Sequence, residues 1–212
     1  MLGRHQALAP TRPDGERLIQ VAHTADLDPA TLGAARALLD DVFGSEMSDH
    51  AWDHALGGMH ALAWEERELV GHGSVVLRRL IYRERTLRTG YVESVAVRPD
   101  RRRKGIGGAV MAELERVIRA AYELGALGAT DEGAALYSAR GWRRWQGQTW
   151  ALAPAGPVRT EGGEGGVYGL TWRWTSTSTS DSHATGARAI SGDPQGAVAP
   201  QATAVPAAPA AR

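Results

Sequence analysis

The chain contains no cysteine, and this absence removes several classes of functional site. Without a thiol there is no disulfide, no zinc–thiolate centre and no cysteine nucleophile. The composition is compatible with a reducing cytoplasm, which is the localisation we expect. His54 and His60 are too isolated in the sequence to suggest metal ligands, so no metal site is expected.

An excess of one charge and long apolar runs are also lacking. The 24 basic residues (Lys and Arg) balance the 24 acidic residues (Asp and Glu), so the net charge gives no reason to expect nucleic-acid binding. The longest apolar runs are far shorter than a membrane span, and the N-terminal stretch lacks the apolar segment of a signal peptide. We therefore expect a protein that binds neither nucleic acid nor membrane.

Composition divides the chain into three parts. Residues 1–16 have few periodic apolar side chains and are predicted to form a flexible N-terminus. Residues 174–212 are low-complexity sequence of Ser, Thr, Ala, Pro and Gly, and they are predicted to be disordered because they offer little apolar surface to bury. One folded domain is therefore predicted over residues 17–173.

The apolar pattern of this domain predicts an α+β fold with a mixed, mostly antiparallel sheet flanked by helices. The predicted helices run from Asp28–Pro29 to about residue 43, from about Gly108 to about residue 122, and over 131–140. The predicted strands are 18–21, 59–64, 68–82, 86–97, 124–128, 142–152 and 167–172.

Residues 91–109 carry the most informative pattern in the chain. A strand is followed by a turn at Pro99–Asp100 and by the spacing R-x-x-G-x-G, which begins at Arg102. Glycines in the loop let the backbone approach a ligand closely, and the next helix points unpaired N–H groups and its positive dipole end at that ligand. The basic run 101–104 adds positive charge. The stretch predicts a phosphate site, with a pyrophosphate as the best fit.

Two common phosphate loops are absent. The G-x-G-x-x-G fingerprint lacks its third glycine here, and no G-K-[ST] occurs. A basic glycine turn without a ligand remains an alternative. The R-x-x-G-x-G loop after a strand resembles the acetyl-CoA loop of the GCN5-related N-acetyltransferases (GNAT).

A closer resemblance is carried by longer stretches of sequence. HTADLD (23–28), GYVESVAVR (90–98) and LYSARGW (136–142) resemble the aminoglycoside 2'-N-acetyltransferases of mycobacteria and their relatives. The resemblance implies the GNAT fold and transfer of the acetyl group of acetyl-CoA to the 2'-amine of an aminoglycoside. It also implies a possible homodimer, although no sequence feature decides the oligomeric state.

The same resemblance assigns site residues. The strand backbone at Val95, Ala96 and Val97 is expected to hold the pantetheine arm. The loop and the helix start are expected to hold the pyrophosphate, through Arg102, Arg103, Lys104, Gly105, Ile106, Gly107 and Gly108. Glu93 is expected to take a proton from the acceptor amine, directly or through a water, and Tyr137 to protonate the leaving thiolate. Alternatively, Glu93 is a solvated or cross-strand residue and Tyr137 a core aromatic.

A wall for the cationic substrate is expected in the acidic stretch 45–54. Glu46, Asp49 and Trp52 are its candidate residues, together with Glu93, whereas the simpler interpretation is a solvated short helix and loop. Glu161 and Glu164 stand in EGGEGG, where the family carries a longer acidic run. The acidic, tryptophan-containing tail of the family is also missing, so weaker retention of a polycationic ligand is expected.

Two other functions remain open. The chain could acetylate another small-molecule or protein amine, and the missing acidic tail favours this option. It could also be a non-catalytic acetyl-CoA-binding module that has lost its acceptor site. Turnover on a panel of amines distinguishes these two possibilities from each other.

Overall fold

The computed structural model describes residues 17–82, 85–146, 149–153, 156–160, 166–171 and 197–199. These residues form two compact units. Of the described residues, the first unit contains those up to Leu77 together with Gly90–Tyr122, and the second contains Arg78–Thr89 and those from Glu123 onward. Among the helices of the described residues, none has the length and apolarity needed to cross a membrane.

The described residues form four α-helices and ten strands. The helices are α1 (Pro29–Phe43), α2 (Asp49–Ala55), α3 (Ile106–Ala121) and α4 (Asp131–Ala139). The first five strands are β1 (Leu18–His23), β2 (Met59–Glu65), β3 (Glu68–Tyr82), β4 (Arg85–Val97) and β5 (Leu124–Gly128). The remaining strands are β6 (Arg143–Arg144), β7 (Thr149–Ala153), β8 (Gly156–Thr160), β9 (Val167–Leu170) and β10 (Ala197–Ala199).

The first unit is built on an antiparallel sheet. β1 pairs with β2, and β2 pairs with β3 through the tight turn at Glu66–Arg67, where both residues have positive φ. β3 lies beside β4, and the N–H of Arg98, just after β4, donates to the carbonyl of Val70 at 2.9 Å. Because side chains alternate along each strand, this sheet has two faces for helices to cover.

Helices α1 and α2 cover one face. Helix α1 starts where it was predicted: Asp28 caps it, accepting a hydrogen bond from the Thr31 N–H at 2.7 Å, and Pro29 occupies the first turn. The buried side chains of this core are Leu27, Ala35, Leu38, Leu39, Met47, Leu62, Leu69 and Ala96.

Helix α3 covers the other face at very short range. A Cβ at Gly71 would lie 2.6 Å from Ile106 Cγ2, and one at Gly73 would lie 3.0 Å from side-chain carbons of Val110 and Leu114. The missing side chains on β3 therefore let the start of α3 approach the sheet more closely than any other residue type would allow.

The second unit contains the end of β3 and the start of β4 together with the later elements. Glu123, just before β5, donates its N–H to the carbonyl of Arg88 in β4 at 2.9 Å, which places the start of β5 beside β4. β9 pairs antiparallel with both β5 and β6, and β7 forms an antiparallel pair with β8. Thr130 caps α4 through a hydrogen bond from the Gly133 N–H.

Three elements of this unit differ from the sequence predictions. The single strand expected over 142–152 is two strands with different partners, since β6 pairs with β9 whereas β7 pairs with β8. β8 occupies a segment in which no strand was predicted. β10 lies within the tail predicted to be disordered and pairs with β3 and β7. The rest of that tail and the N-terminal segment 1–16 lie outside the described residues.

Candidate active site

The loop between β4 and α3 has the predicted order, but the helix begins two residues earlier than expected. Gly105 is the N-cap with φ +77°, in the left-handed region that favours glycine, and α3 begins at Ile106 rather than at Gly108. The N–H of Ala109 donates to the Gly105 carbonyl at 3.0 Å, which starts the helical hydrogen bonds. Gly107 and Gly108 therefore lie in the first turn of α3 and not in the loop.

The N-terminus of α3 is suited to an anion. Gly105 provides no side-chain cap, so the N–H groups of the first turn donate no hydrogen bond to a capping side chain. The helix dipole adds partial positive charge at the same place. Gly105 is exposed, and Gly107 and Gly108 are half-buried. The first turn can thus donate hydrogen bonds to a phosphate that approaches from solvent.

The arginines at the start of the loop have another role. Glu65 forms ion pairs with Arg17 and Arg101, both at 3.0 Å, and Asp100 pairs with Arg98 and Arg101, both at 2.7 Å. The Arg17 guanidinium holds the pKa of Glu65 below its usual value. Arg101 was expected to add charge to the ligand site, but its guanidinium is committed to this network.

The next three basic residues are exposed. The Nε of Arg102 donates to the Val97 carbonyl at 3.4 Å, and the Lys104 carbonyl accepts from Arg17 at 3.2 Å. Arg103 has φ +62°. Within the described part of the chain, Arg103 and Lys104 form no ion pair. Their positive charges are therefore available to an anionic ligand.

The strand that precedes the loop has an unusual residue in its middle. Ser94 has φ +54°, a left-handed conformation that is uncommon for serine and typical of positions where a strand bulges. It stands between Glu93 and Val95, which are both half-buried, whereas Ala96 is buried. Such a residue changes the direction in which its neighbours point. This is the local departure from a regular strand that main-chain N–H groups need in order to face a ligand.

A pair of histidines lies beneath this segment, and sequence reasoning missed its role. His60 on β2 and His72 on β3 are fully buried, and their rings contact each other through Nδ1 and Nε2 at 2.9 Å. Burial lowers the pKa of His72 to about 3 and that of His60 to about 4, so both rings are neutral at pH 7. The available sequence signal was a histidine at an inward-facing position of each strand.

The acidic segment 45–54 contains both exposed side chains and side chains that contact other parts of the protein. Glu46 is exposed in a short 3-10 turn before α2. Asp49 is exposed at the start of α2, but its Oδ1 accepts a hydrogen bond from Arg36 at 3.0 Å. Trp52 is half-buried against the α1 core, and its ring centroid lies 6.3 Å from that of His72. Glu161 and Glu164 lie outside the described residues.

Tyr137 belongs to the second unit, on α4. Its side chain is 7% exposed, and its ring lies 6.4 Å from that of Trp142 and 6.2 Å from that of Tyr168, measured between centroids. Burial raises the pKa of Tyr137 to about 12. The phenol therefore keeps its proton at neutral pH and can act only as a proton donor or hydrogen-bonding group there.

Comparison with known proteins agrees with this geometry. The sequence matches the Acetyltransferase (GNAT) family over residues 29–142. It is 46% identical over 162 residues to a protein of Mycolicibacterium fortuitum named aminoglycoside 2'-N-acetyltransferase, which covers 76% of this chain and 83% of the relative.

Solved structures show the same fold. Escherichia coli ElaA superposes with a TM-score of 0.52 at 19% identity, over 73% of this chain and 99% of ElaA. An acyl-CoA N-acyltransferase from Pseudomonas aeruginosa superposes with a TM-score of 0.51 at 16% identity, over 73% of this chain and 99% of that one.

Proposed function

The chain belongs to the GNAT acetyltransferase family, and from that membership we propose that it transfers the acetyl group of acetyl-CoA to the 2'-amine of an aminoglycoside. The relative from M. fortuitum supports the choice of substrate class. The observation that carries the proposal is the placement of Glu93 next to the left-handed Ser94, on the strand that leads into the uncapped end of α3.

The first unit has the features that a CoA diphosphate requires. The N–H groups at Gly107 and Gly108 would donate to the diphosphate, and Arg102, Arg103 and Lys104 would balance its charge. Ile106 anchors this turn, since its side chain is 1% exposed. The backbone of Val95, Ala96 and Val97 would hold the pantetheine arm. Acetyl-CoA supplies the acetyl group as a thioester.

Glu93 would serve as the general base. An aminoglycoside amine is largely protonated at neutral pH and cannot attack until it loses a proton. Glu93 is half-buried and would accept this proton directly or through a water. Backbone N–H groups near Ser94 would polarise the thioester carbonyl, because the left-handed residue turns the main chain there.

Tyr137 would serve as the general acid. When the carbon–sulfur bond breaks, the thiolate takes the phenolic proton of Tyr137. Because burial raises the pKa of Tyr137 to about 12, this proton is present at neutral pH. No covalent acyl-enzyme is needed for direct attack, in keeping with the absence of cysteine.

The acceptor site would be acidic. We propose that Glu46, Asp49 and Trp52 contribute to it together with Glu161 and Glu164. Arg36 shares the carboxylate of Asp49, so Asp49 would attract an amine less strongly than its exposure suggests. A cytoplasmic location, a homodimer and the absence of nucleic-acid and membrane partners stay predictions from the sequence.

The test uses two aminoglycosides that differ only in carrying a 2'-amine or a 2'-hydroxyl. We expect thiol release from acetyl-CoA with the first and none above background with the second. Mass mapping of the product should place one acetyl group on the 2'-nitrogen. Equal rates with both compounds, or no release with either, would refute the proposal.

A second candidate is acetyl transfer to a different amine. It is favoured by the Arg36–Asp49 ion pair, which reduces the negative charge available to a polycation. In that case a panel of small amines and peptide N-termini would contain a better substrate than any aminoglycoside.

A further inference from the structure

A continuous chain of hydrogen bonds crosses the sheet of the first unit and ends at the site strand. Thr24 Oγ1 lies 2.8 Å from His60 Nε2, and His60 Nδ1 lies 2.9 Å from His72 Nε2. His72 Nδ1 lies 3.0 Å from the main-chain carbonyl of Ser94. The chain joins residues far apart in sequence, and the mechanism proposed above does not use its histidines.

The groups at the two ends of this hydrogen-bond chain determine which atom donates and which accepts at each step. The Ser94 carbonyl can only accept, so His72 Nδ1 carries a proton and donates it. Neutral His72 must then accept at Nε2 from the Nδ1–H of His60. The remaining His60 nitrogen accepts from the Thr24 hydroxyl, which lies closer to it, at 2.8 Å, than to the Gly58 carbonyl, at 3.2 Å. The Thr24 oxygen in turn accepts from the Gly57 N–H at 2.9 Å. Only this arrangement gives every ring nitrogen a hydrogen-bond partner. Each group of the hydrogen-bond chain therefore donates to the next, from Thr24 through His60 and His72 to the Ser94 carbonyl.

The carbonyl at the end of this chain belongs to a strained residue. A non-glycine residue at φ +54° is less stable than one in the right-handed region, and surrounding contacts must offset that strain. His72 provides such a contact from a fully buried position, where the loss of a hydrogen bond is expensive. Ser94 is also the covalent link between Glu93 and Val95.

We propose that Thr24, His60 and His72 form a positioning chain that locks Ser94 in its left-handed conformation and thereby aims Glu93 and the backbone of Val95–Val97. This inference rests on the proposed function, because Glu93 and that backbone are its working groups. His72 is a positioning residue, since it acts through Ser94 and not on the reactants. The ring of Trp52, on α2, lies beside that of His72, with the centroids 6.3 Å apart.

The test is a double-mutant cycle that combines His72→Leu with Ser94→Gly. His72→Leu removes the donor to Ser94, and we expect kcat/KM to fall by about ten- to a hundredfold, because small misplacement of a catalytic group is costly. Glycine adopts positive φ without strain and no longer needs the contact. In the Ser94→Gly background, His72→Leu should therefore change kcat/KM by less than about threefold.

A general loss of packing would not be rescued in this way. If His72→Leu costs the same factor in both backgrounds, the positioning role is overturned. His72→Asn is a second probe, because its amide nitrogen can take the place of Nδ1 and keep the bond to Ser94. It should retain most of the activity that His72→Leu loses. Leu38→Ala, a core truncation in the same unit, controls for lower stability and should leave kcat unchanged.

Calorimetry with acetyl-CoA separates this inference from the proposed function. His72→Leu should weaken acetyl-CoA binding in the wild-type background and not in the Ser94→Gly background, whichever amine is the acceptor. A wild-type protein that binds acetyl-CoA but acetylates neither aminoglycoside would overturn the proposed function alone, and the calorimetric cycle would still decide the role of His72. If acetyl-CoA does not bind to the wild-type protein, both proposals fail.

Discussion

The cationic side chains in and around the β4–α3 loop fall into two groups. Some are held by other groups of the protein, and others are available to bind an anionic ligand. Arg98 and Arg101 are held by carboxylates, and Arg102 donates to the Val97 carbonyl. Arg103 and Lys104 are exposed and form no ion pair among the described residues. The run of basic residues at 101–104 could be recognised in the sequence, but this division could not. It depends on Glu65, which reaches the loop from the end of another strand.

Glu93 is the residue whose role can be tested most directly. Glu93→Gln keeps the shape of the side chain and removes the base, so kcat should fall by about a hundredfold or more, with acetyl-CoA affinity unchanged. Because the amine loses its own proton at high pH, the deficit should shrink as the pH rises. Steady-state kinetics from pH 6 to about pH 9 would measure both effects.

The matched control is Glu66→Gln, on the exposed turn between β2 and β3, which should behave as wild type. An unchanged kcat in Glu93→Gln would assign Glu93 to a structural role.

Tyr137 was open to two interpretations, and burial alone does not choose between them. Tyr137→Phe retains the ring that packs against Trp142 and Tyr168, so the melting temperature should change little. If the phenol donates a proton to the thiolate, kcat should fall by about a hundredfold, a typical contribution of general acid catalysis. Stopped assays with both acetyl-CoA and the 2'-amine compound would measure the effect.

Tyr168→Phe provides the comparison, since Tyr168 is a buried tyrosine of the same ring cluster. Equal kcat values for the two phenylalanine variants would exclude the acid role of Tyr137.

At the scale of elements, the positions of most helices and strands followed from sequence pattern. Asp28–Pro29 marked the start of α1, and the sequence pattern indicated the strands β2, β3 and β4. The start of α3 was placed two residues late, because glycines at 107 and 108 look like loop although they are helical here. β8 was missed because its partner β7 had been assigned to a longer strand, and pairing depends on residues distant in sequence.

The close contact between α3 and β3 makes a prediction about Gly71. In Gly71→Ala the new methyl would meet Ile106 Cγ2 at 2.6 Å, so Ile106 and the first turn of α3 must shift. Overpacking of this kind costs about 1–3 kcal/mol. We expect a lower melting temperature together with weaker acetyl-CoA binding by calorimetry.

Gly33→Ala in α1 is the control, because a Cβ there has no atom within 4 Å. It should stabilise the protein slightly through helix propensity, by roughly 0.5–1 kcal/mol. Unchanged acetyl-CoA affinity in Gly71→Ala would show that the sheet does not set the position of the helix start.

At the scale of the whole molecule, the buried histidine pair makes stability depend on pH. The pKa values of His60 and His72 are lowered by burial to about 4 and about 3, against an ordinary value of 6.5. Charges of neighbouring histidines, His23 beside His60 and His60 beside His72, lower them further. The unfolded chain therefore binds more protons than the folded one below pH 6.5. Stability is full above that pH and falls as the pH drops toward the folded values.

The expected slope is about 1.4 kcal/mol per pH unit for each histidine, because each binds one proton only when unfolded. Urea unfolding between pH 6.5 and pH 5 should show this loss, because that range lies above the reference pKa values of about 3.9 for Asp and about 4.3 for Glu. A free energy of unfolding that stays level across this range would contradict the neutral, buried state of the pair.

The uncapped first turn of α3 also provides a way to detect bound coenzyme. Amides at Gly107 and Gly108 without a capping partner should exchange with deuterium quickly, and a bound diphosphate would slow them. Coenzyme occupancy would then be readable from two backbone positions by mass spectrometry or NMR, even in a variant that performs no chemistry.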